Sequence, residues 1–399
     1  MIKFILGFSL LLCAFFLSAH EEHTEHQKTA MAVSIAFDSQ GGLWKAAVHD
    51  GFLQVSKSTD MGKTFSKPIN VNHIPQKIGA DGEARPKIAI SPEGNIYLTW
   101  TEALKKPFSG YIWFARSTDA GKTFQAPYIL HQDRSEITHR FDSLNVSADG
   151  KITVTWVDKR DLIAAKAAKQ PYEGAAIYYA VSDNKGQSFS VEQKLADSSC
   201  ECCRIALTNR PDGTVAAMWR HVFNGSERDH MMAEIPATAH QLAEPKRATF
   251  GRWKVDGCPH HGAALVSGGE ANRWWGYHMA WYDGGNDDSG QKATMFYARM
   301  DGVAWVSSPA KKFGNMKKQA GHPALLAVGE HVWLAWREKD AGSSQVWLMK
   351  SDDEGKSWGI PSMIATSPGN ADYPQLLQKN EQVYLMWNTG AEGLKALAI

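Results

Sequence analysis

The chain has 399 residues, with 43 Lys+Arg against 42 Asp+Glu, 15 Trp and 5 Cys. Its near-neutral balance excludes a general polyanion binder, because neutralising phosphates needs a basic surplus, so no nucleic-acid partner is expected. A hydrophobic content of 43% excludes bulk disorder.

In chain order, Lys3 precedes an apolar run from Phe4 to Leu17 and then Ser18-Ala19. A basic start, a short apolar stretch and a small residue predict a signal peptide over 1–19, and hence export to the periplasm or beyond. No later segment is apolar for long enough to span a bilayer, so no transmembrane anchor is expected after cleavage. Cys13 falls inside the removed segment. That leaves Cys200, Cys202, Cys203 and Cys258 in an oxidising compartment. Residues 20–29 begin with His20, His23 and His26 interleaved with Glu, a flexible arm able to capture a copper or other divalent ion, or else a solvated acidic tail. Residues 30–399 are expected to form one domain.

That domain is repetitive. A short apolar strand, a Gly or Asn turn and a β-rich strand ending in Trp recur from Arg85 to Trp100, Phe141 to Trp156, Cys203 to Trp219, His261 to Trp281, His322 to Trp336 and Tyr373 to Trp387. A weaker first copy runs from Ala32 to His49. The period of about 51 to 63 residues suits four antiparallel strands with turns, one blade of a β-propeller. The expected fold is therefore all-β, with six complete units and a final one of three strands. Only Leu162–Lys169 reads as helical.

A second motif punctuates the repeats: Ser58-Thr-Asp60-Met-Gly62-Lys-Thr64-Phe65, Ser117 to Phe124, Ser351 to Trp358, and with Asn184 in the acid position Ser182 to Phe189. Ser and Asp side chains can hold turn amides, and Gly accepts positive φ. These are Asp boxes, and nearly all of the mature chain resembles the sialidase-like BNR/Asp-box β-propeller family. The boxes speak for the fold and not for activity, since in that family they lie away from active sites. Sialidases have six blades, whereas seven units are read here.

In such a unit the start of the first strand and the end of the second share one face. The starts carry Glu83, Arg85, Arg140, Cys203, Arg204, His260, His261, His322, Asp372 and Tyr373. The ends carry Glu102, Asp158, Arg160, Arg220, His221, Asp283, Arg337 and Glu338. Some of these ionisable groups are expected to form structural salt bridges, and the rest mark this face as the site. Cys200-Glu-Cys202-Cys203 and Cys258-Pro-His260-His261 occupy the same position in adjacent units and should meet at the channel mouth. Thiolates with imidazoles suit copper or zinc. Cys202, Cys203, Cys258 and His260 are the leading ligands, with Cys200, His261, His322 and His221 also candidates. Two structural disulfides are the competing reading, although adjacent Cys202 and Cys203 bond to each other only with strain. Arg204 after Cys200-x-x-Cys203 argues against covalent haem.

The resemblance also implies an enzyme reading. Sialidases hold a substrate carboxylate with three arginines and use a Tyr nucleophile activated by Glu, with an Asp as acid/base. Arg85, Arg140 and Arg204 would form the clamp, Tyr373 in Asp-Tyr-Pro-Gln-Leu-Leu resembles the nucleophile segment, and Glu102 and Asp158 would be the acid/base groups. The family's Arg element and Asp loop are absent. Three functions stay open: a metal-binding or redox propeller, a glycosidase acting on an anionic sugar, and a non-catalytic propeller that binds a glycan or a protein.

Overall fold

A computed structural model describes residues 30–237, 242–268, 276–286 and 289–399 of the chain. Residues 1–19, read above as a signal peptide, the segment 20–29, and Trp274 and Trp275 lie outside the described residues.

The described residues are built almost wholly of antiparallel strands. The first sheet holds β1 (Ser34–Phe37), β2 (Leu43–His49), β3 (Phe52–Ser58) and β4 (Ile69–Asn70), and the second β5 (Lys87–Ile90), β6 (Ile96–Ala103), β7 (Gly110–Ser117) and β8 (Tyr128–Ile129). A nine-stranded sheet follows. It joins β9 (His139–Val146), β10 (Ile152–Asp158), β11 (Ala175–Ser182) and β12 (Gln193–Ser199) to β13 (Ala206–Asn209), β14 (Val215–Phe223), β15 (Glu227–Ile235), β16 (Lys246–Arg247) and β17 (Trp253–Lys254). The strand pairing between the two halves is limited to Ser199 with His221, so it is two units fused at one point. Then come β18 (Ala264–Ser267), β19 (Tyr277–Asn286), β20 (Gln291–Met300) and β21 (Lys311–Phe313), followed by β22 (Gly321–Val328), β23 (His331–Asp340), β24 (Ser343–Ser351) and β25 (Ser362–Pro368). The last sheet, β26 (Gln375–Lys379), β27 (Gln382–Thr389) and β28 (Gly393–Ala398), has three strands. The helical insert is present as α1 (Arg160–Ala167), two residues earlier than the sequence suggests.

Each sheet packs on the next through a shared apolar layer. Trp44, Leu53 and Val55 of the first unit meet Ile96, Leu98 and Trp100 of the second. Tyr97, Ile112 and Phe114 of the second meet Val154 and Trp156 of the third. Each Trp that ends a second strand is wedged against the preceding unit, which is why these strands are buried on both faces and read as apolar runs. Val33, Ile35 and Leu43 of the first unit pack with Leu377, Tyr384 and Met386 of the last. The first strands follow the same circuit: β1 packs on β5, β5 on β9, β9 on β13, β13 on β18, β18 on β22, β22 on β26, and β26 on β1. Residues of all seven line one cavity of about 350 Å³.

The Ser-x-Asp/Asn-x-Gly motifs, read above as Asp boxes, are turns between third and fourth strands. Asp119 Oδ1 accepts from Thr123 N at 3.0 Å, and Ser117 Oγ accepts from Gly121 N at 2.9 Å. Asn184 keeps the same pattern, accepting from Ser188 N at 3.0 Å. At Gly121 φ is +78°, and a Cβ there would sit 2.2 Å from the Trp44 ring of the previous unit. Only glycine allows both the turn and the close approach. Antiparallel order puts these boxes at the opposite end of the sheets from the starts of the first strands.

The core also buries several imidazoles in neutral form. Burial holds His131 at about 3 and His278 at about 4, and it lowers His230 and, against the pull of Asp158, His139. Unfolding releases these rings to bind protons near pH 6.5, where the folded state refuses them. Stability is therefore complete above about pH 6.5 and is lost as pH falls towards 4. Thermal unfolding followed from pH 7 to pH 4 should show a melting temperature that declines from about pH 6 downward, and a flat profile over that range contradicts this account.

Candidate metal centre and channel mouth

β12 ends at Ser199, and the chain turns through 200–205 from the outer edge of the third unit into β13. Cys200 N donates to Arg220 O at 2.8 Å, which fixes the turn beside β14. The turn buries Cys200, Cys202 and Cys203 in one cluster with Ala84, Phe141 and Ile205. Cys200 Sγ lies 3.7 Å from Cys202 Sγ and 3.8 Å from Cys203 Sγ. In the next unit, the segment before β18 brings in Cys258 and His260, both exposed. His260 has φ +50°, a left-handed conformation that bends the loop. Cys202, Cys258 and His260 have donor atoms all within 4.8 Å of one another, as do Cys200, Cys202 and Cys203. The two Cys clusters meet, as their matched positions in adjacent units imply.

Hydrogen bonds from Cys202 and Cys203, with help from the positive charge of Arg220, hold the Cys200 thiol far below the ordinary thiol range. The same bonds, with burial, push the Cys202 thiol up. Arg220 is 2% exposed; its guanidinium donates to His261 O at 3.0 Å and to Tyr282 O at 2.8 Å and lies 5.2 Å from the Trp253 ring centroid. A buried cation fixed by carbonyls thus acts on Cys200 and Cys203, where it favours the thiolate form.

The mouth of the channel is a separate cluster. Glu83, 2% exposed, accepts from Arg204 N and Gly262 N, each at 3.0 Å, through Oε2. Its Oε1 approaches His322 Nδ1 at 3.4 Å and Arg204 at 3.7 Å. Burial alone would raise this carboxyl, but Arg204, His322 and the two amides outweigh it and hold it at about 2. His322 is held neutral by burial, at about 4. Four rings stack across the mouth. Tyr282 lies 4.1 Å from His261, His261 4.7 Å from His322, and His322 3.5 Å from Tyr373. Arg337 and Arg85 stand 5.0 and 5.5 Å from the Tyr373 ring centroid. Arg85 forms a two-pronged pair with Asp372 at 2.8 and 2.7 Å and donates to Val33 O, tying the first, second and last units together.

Not every candidate joins these groups. Arg140 lies over Phe141 at 5.0 Å. Glu102 accepts from the Trp113 indole at 2.7 Å. Buried Asp158 accepts from the Trp156 indole at 2.9 Å and from Arg160, and Glu338 serves Trp336 in the same way. His221 lines a groove of about 690 Å³ with Tyr172, Asp197, Phe223, Arg247 and Arg252, outside both Cys groups. His261 and His322 belong to the ring stack. Two residues that matter were not among the sequence candidates: Arg337, although it sits among the second-strand ends, and Tyr282, which follows a closing Trp and carries no signal of its own.

No family model matches the chain, and no curated protein matches it. Solved structures do. An ulvan lyase of a polysaccharide lyase family, bound to -[GlcA(1-4)Rha3S]-, superposes with a TM-score of 0.55 at 12% identity, over 94% of each chain. The Hadza microbial sialidase Hz136 gives 0.48 at 12% identity over 89% of this chain and 76% of that one. The Penicillium chrysogenum α-L-arabinanase complexed with arabinobiose gives 0.47 at 13% identity over 82% and 94%. The fold is propeller-like. At such identities the likeness extends to the fold alone.

Glu83 is the keystone of the mouth. Glu83→Ala leaves the half-buried Arg204 without its counter-charge and the Arg204 and Gly262 amides without their acceptor, and should cost about 3 kcal/mol. Glu83→Gln keeps an acceptor for the two amides and should cost clearly less. Urea unfolding of both variants checks this, and equal losses would mean that the charge of Glu83 is not what matters.

Proposed function

We propose that this protein is an exported, seven-bladed propeller that binds a soft metal ion, copper(I) or zinc(II), on cysteine thiolates and an imidazole at one mouth of its channel, for metal binding or a redox step. The observation that carries this reading is the sulfur spacing. Two metal–sulfur bonds of about 2.3 Å at a tetrahedral angle place their sulfurs about 3.8 Å apart, and the three buried sulfurs show 3.7 and 3.8 Å. Thiols that survive in an oxidising compartment need such a partner, and Arg220 supplies the compensating charge. Cyclic packing of the first strands supports the blade number, and the basic, apolar and small-residue pattern of 1–19 supports export. Copper or zinc should be found by elemental analysis of protein from the exported fraction, with at least three thiols released on chelation and denaturation. Cys202→Ser should lower metal affinity more than tenfold. No metal together with no free thiols overturns the proposal in favour of disulfides.

A second reading is favoured by the charges around Tyr373, on which Arg337, Arg204 and Arg85 all act. We propose that the ring stack and these arginines can seat an anionic sugar, in keeping with the acidic saccharide bound by the ulvan lyase of similar fold. Sialidase-like hydrolysis by a Tyr373 phenolate is not favoured, because burial and Glu83 push that phenol up to about 12. Arg85 is also committed to Asp372. Arg337→Ala should weaken binding of a uronate-containing oligosaccharide at least tenfold, and calorimetry that finds no difference between variant and wild type removes the sugar site.

A further inference from the structure

We infer that the thiol cluster holds two metal ions: an inner one on Cys200, Cys202 and Cys203, and an outer one on Cys202, Cys258 and His260, with the Cys202 thiolate bridging them. The inference rests on the metal reading above and deepens it. Its basis is how the five donors divide. Each set of three lies within 4.8 Å, but the five do not form one such group. Two bonds of about 2.3 Å from one ion reach across at most about 4.6 Å, so a single ion cannot take all five donors as they stand. One sphere would abandon either the buried sulfurs or the exposed loop. Two spheres that share a vertex use all of them, and a thiolate sulfur has the lone pairs to bridge.

The two positions differ in chemistry. The inner set is three buried sulfurs beside the buried Arg220 guanidinium. Three thiolates on one Cu(I) leave excess negative charge next to that single cation, and a second Cu(I) on Cys202 draws part of it off. The outer set is mixed, one imidazole and two sulfurs, and both Cys258 and His260 face solvent on the loop before β18. Metal from solution meets the outer set first. Cys202 belongs to both spheres, so an ion can pass inward by exchanging ligands on that sulfur without leaving the protein. Each sulfur that is still protonated gives its proton to water on binding, and no electron moves.

Anaerobic titration of the fully reduced protein with Cu(I), against a chromophoric chelator, should break at two ions per chain. His260→Ala and Cys258→Ser remove only exposed outer ligands, so the break should fall to one ion, the melting temperature of the metal-free protein should not change, and loading of the remaining ion should slow. A wild-type break at one ion overturns the two-ion arrangement and leaves the metal reading standing. No uptake overturns both. A His260→Ala variant that still binds two ions overturns the outer set.

Discussion

Every sheet of this chain has two apolar faces and must be covered on both. That requirement sets the rest of the structure. A covered sheet needs a neighbour on each side, and the last neighbour available to the seventh unit is the first unit, which it meets through Met386, Leu43 and Ile35. Closure then turns the first strands inward around one channel. It also gathers the chain segments that lead into those strands at a single mouth. Residues far apart in sequence, such as Glu83 and Gly262, or Val33 and Asp372, become hydrogen-bond partners for that reason alone. The site follows from the core.

The crowding at the mouth is resolved by division of labour. One set of charges is consumed by the scaffold. Asp158 and Glu338 satisfy the indoles of closing Trp residues, and Asp372 neutralises Arg85. In the fourth unit Trp219 is followed by Arg220 and His221, and its indole has no hydrogen-bond partner. There the position two residues after the Trp is His221 and not a carboxylate, and buried Arg220 precedes it. A carboxylate in that place would oppose thiolate formation.

Much of this was legible in the sequence, and the limits have physical causes. The spacing of Trp100, Trp156, Trp219, Trp281, Trp336 and Trp387 shows the units because each Trp does the same packing work. The meeting of Cys202 with Cys258 follows from equal positions in adjacent units. The pairs Trp156-x-Asp158 and Trp336-x-Glu338 also signalled indole partners, yet as isolated carboxylates they read as site charges. What repeat position does not encode is the direction of a side chain at the mouth. His260 and His322 both have left-handed backbone, with φ +50° and +55°. One turns towards the sulfurs, and the other stacks on Tyr373. Like backbone conformations lead to different partners, so the neighbours each ring meets, and not φ, separate the imidazole beside the sulfurs from the one in the stack.

The two clusters are neighbours that share structural supports. Arg220 stands beside the sulfurs and donates to the backbone of His261 and Tyr282, the outer half of the ring stack. Glu83 accepts from the amide next to His261 and from that of Arg204, which follows Cys203. The 200–205 turn and Glu83 are therefore joined at the Arg204 amide. Glu83 also faces His322 and acts on Tyr373. The path from sulfur to channel runs through one backbone amide and one buried carboxylate.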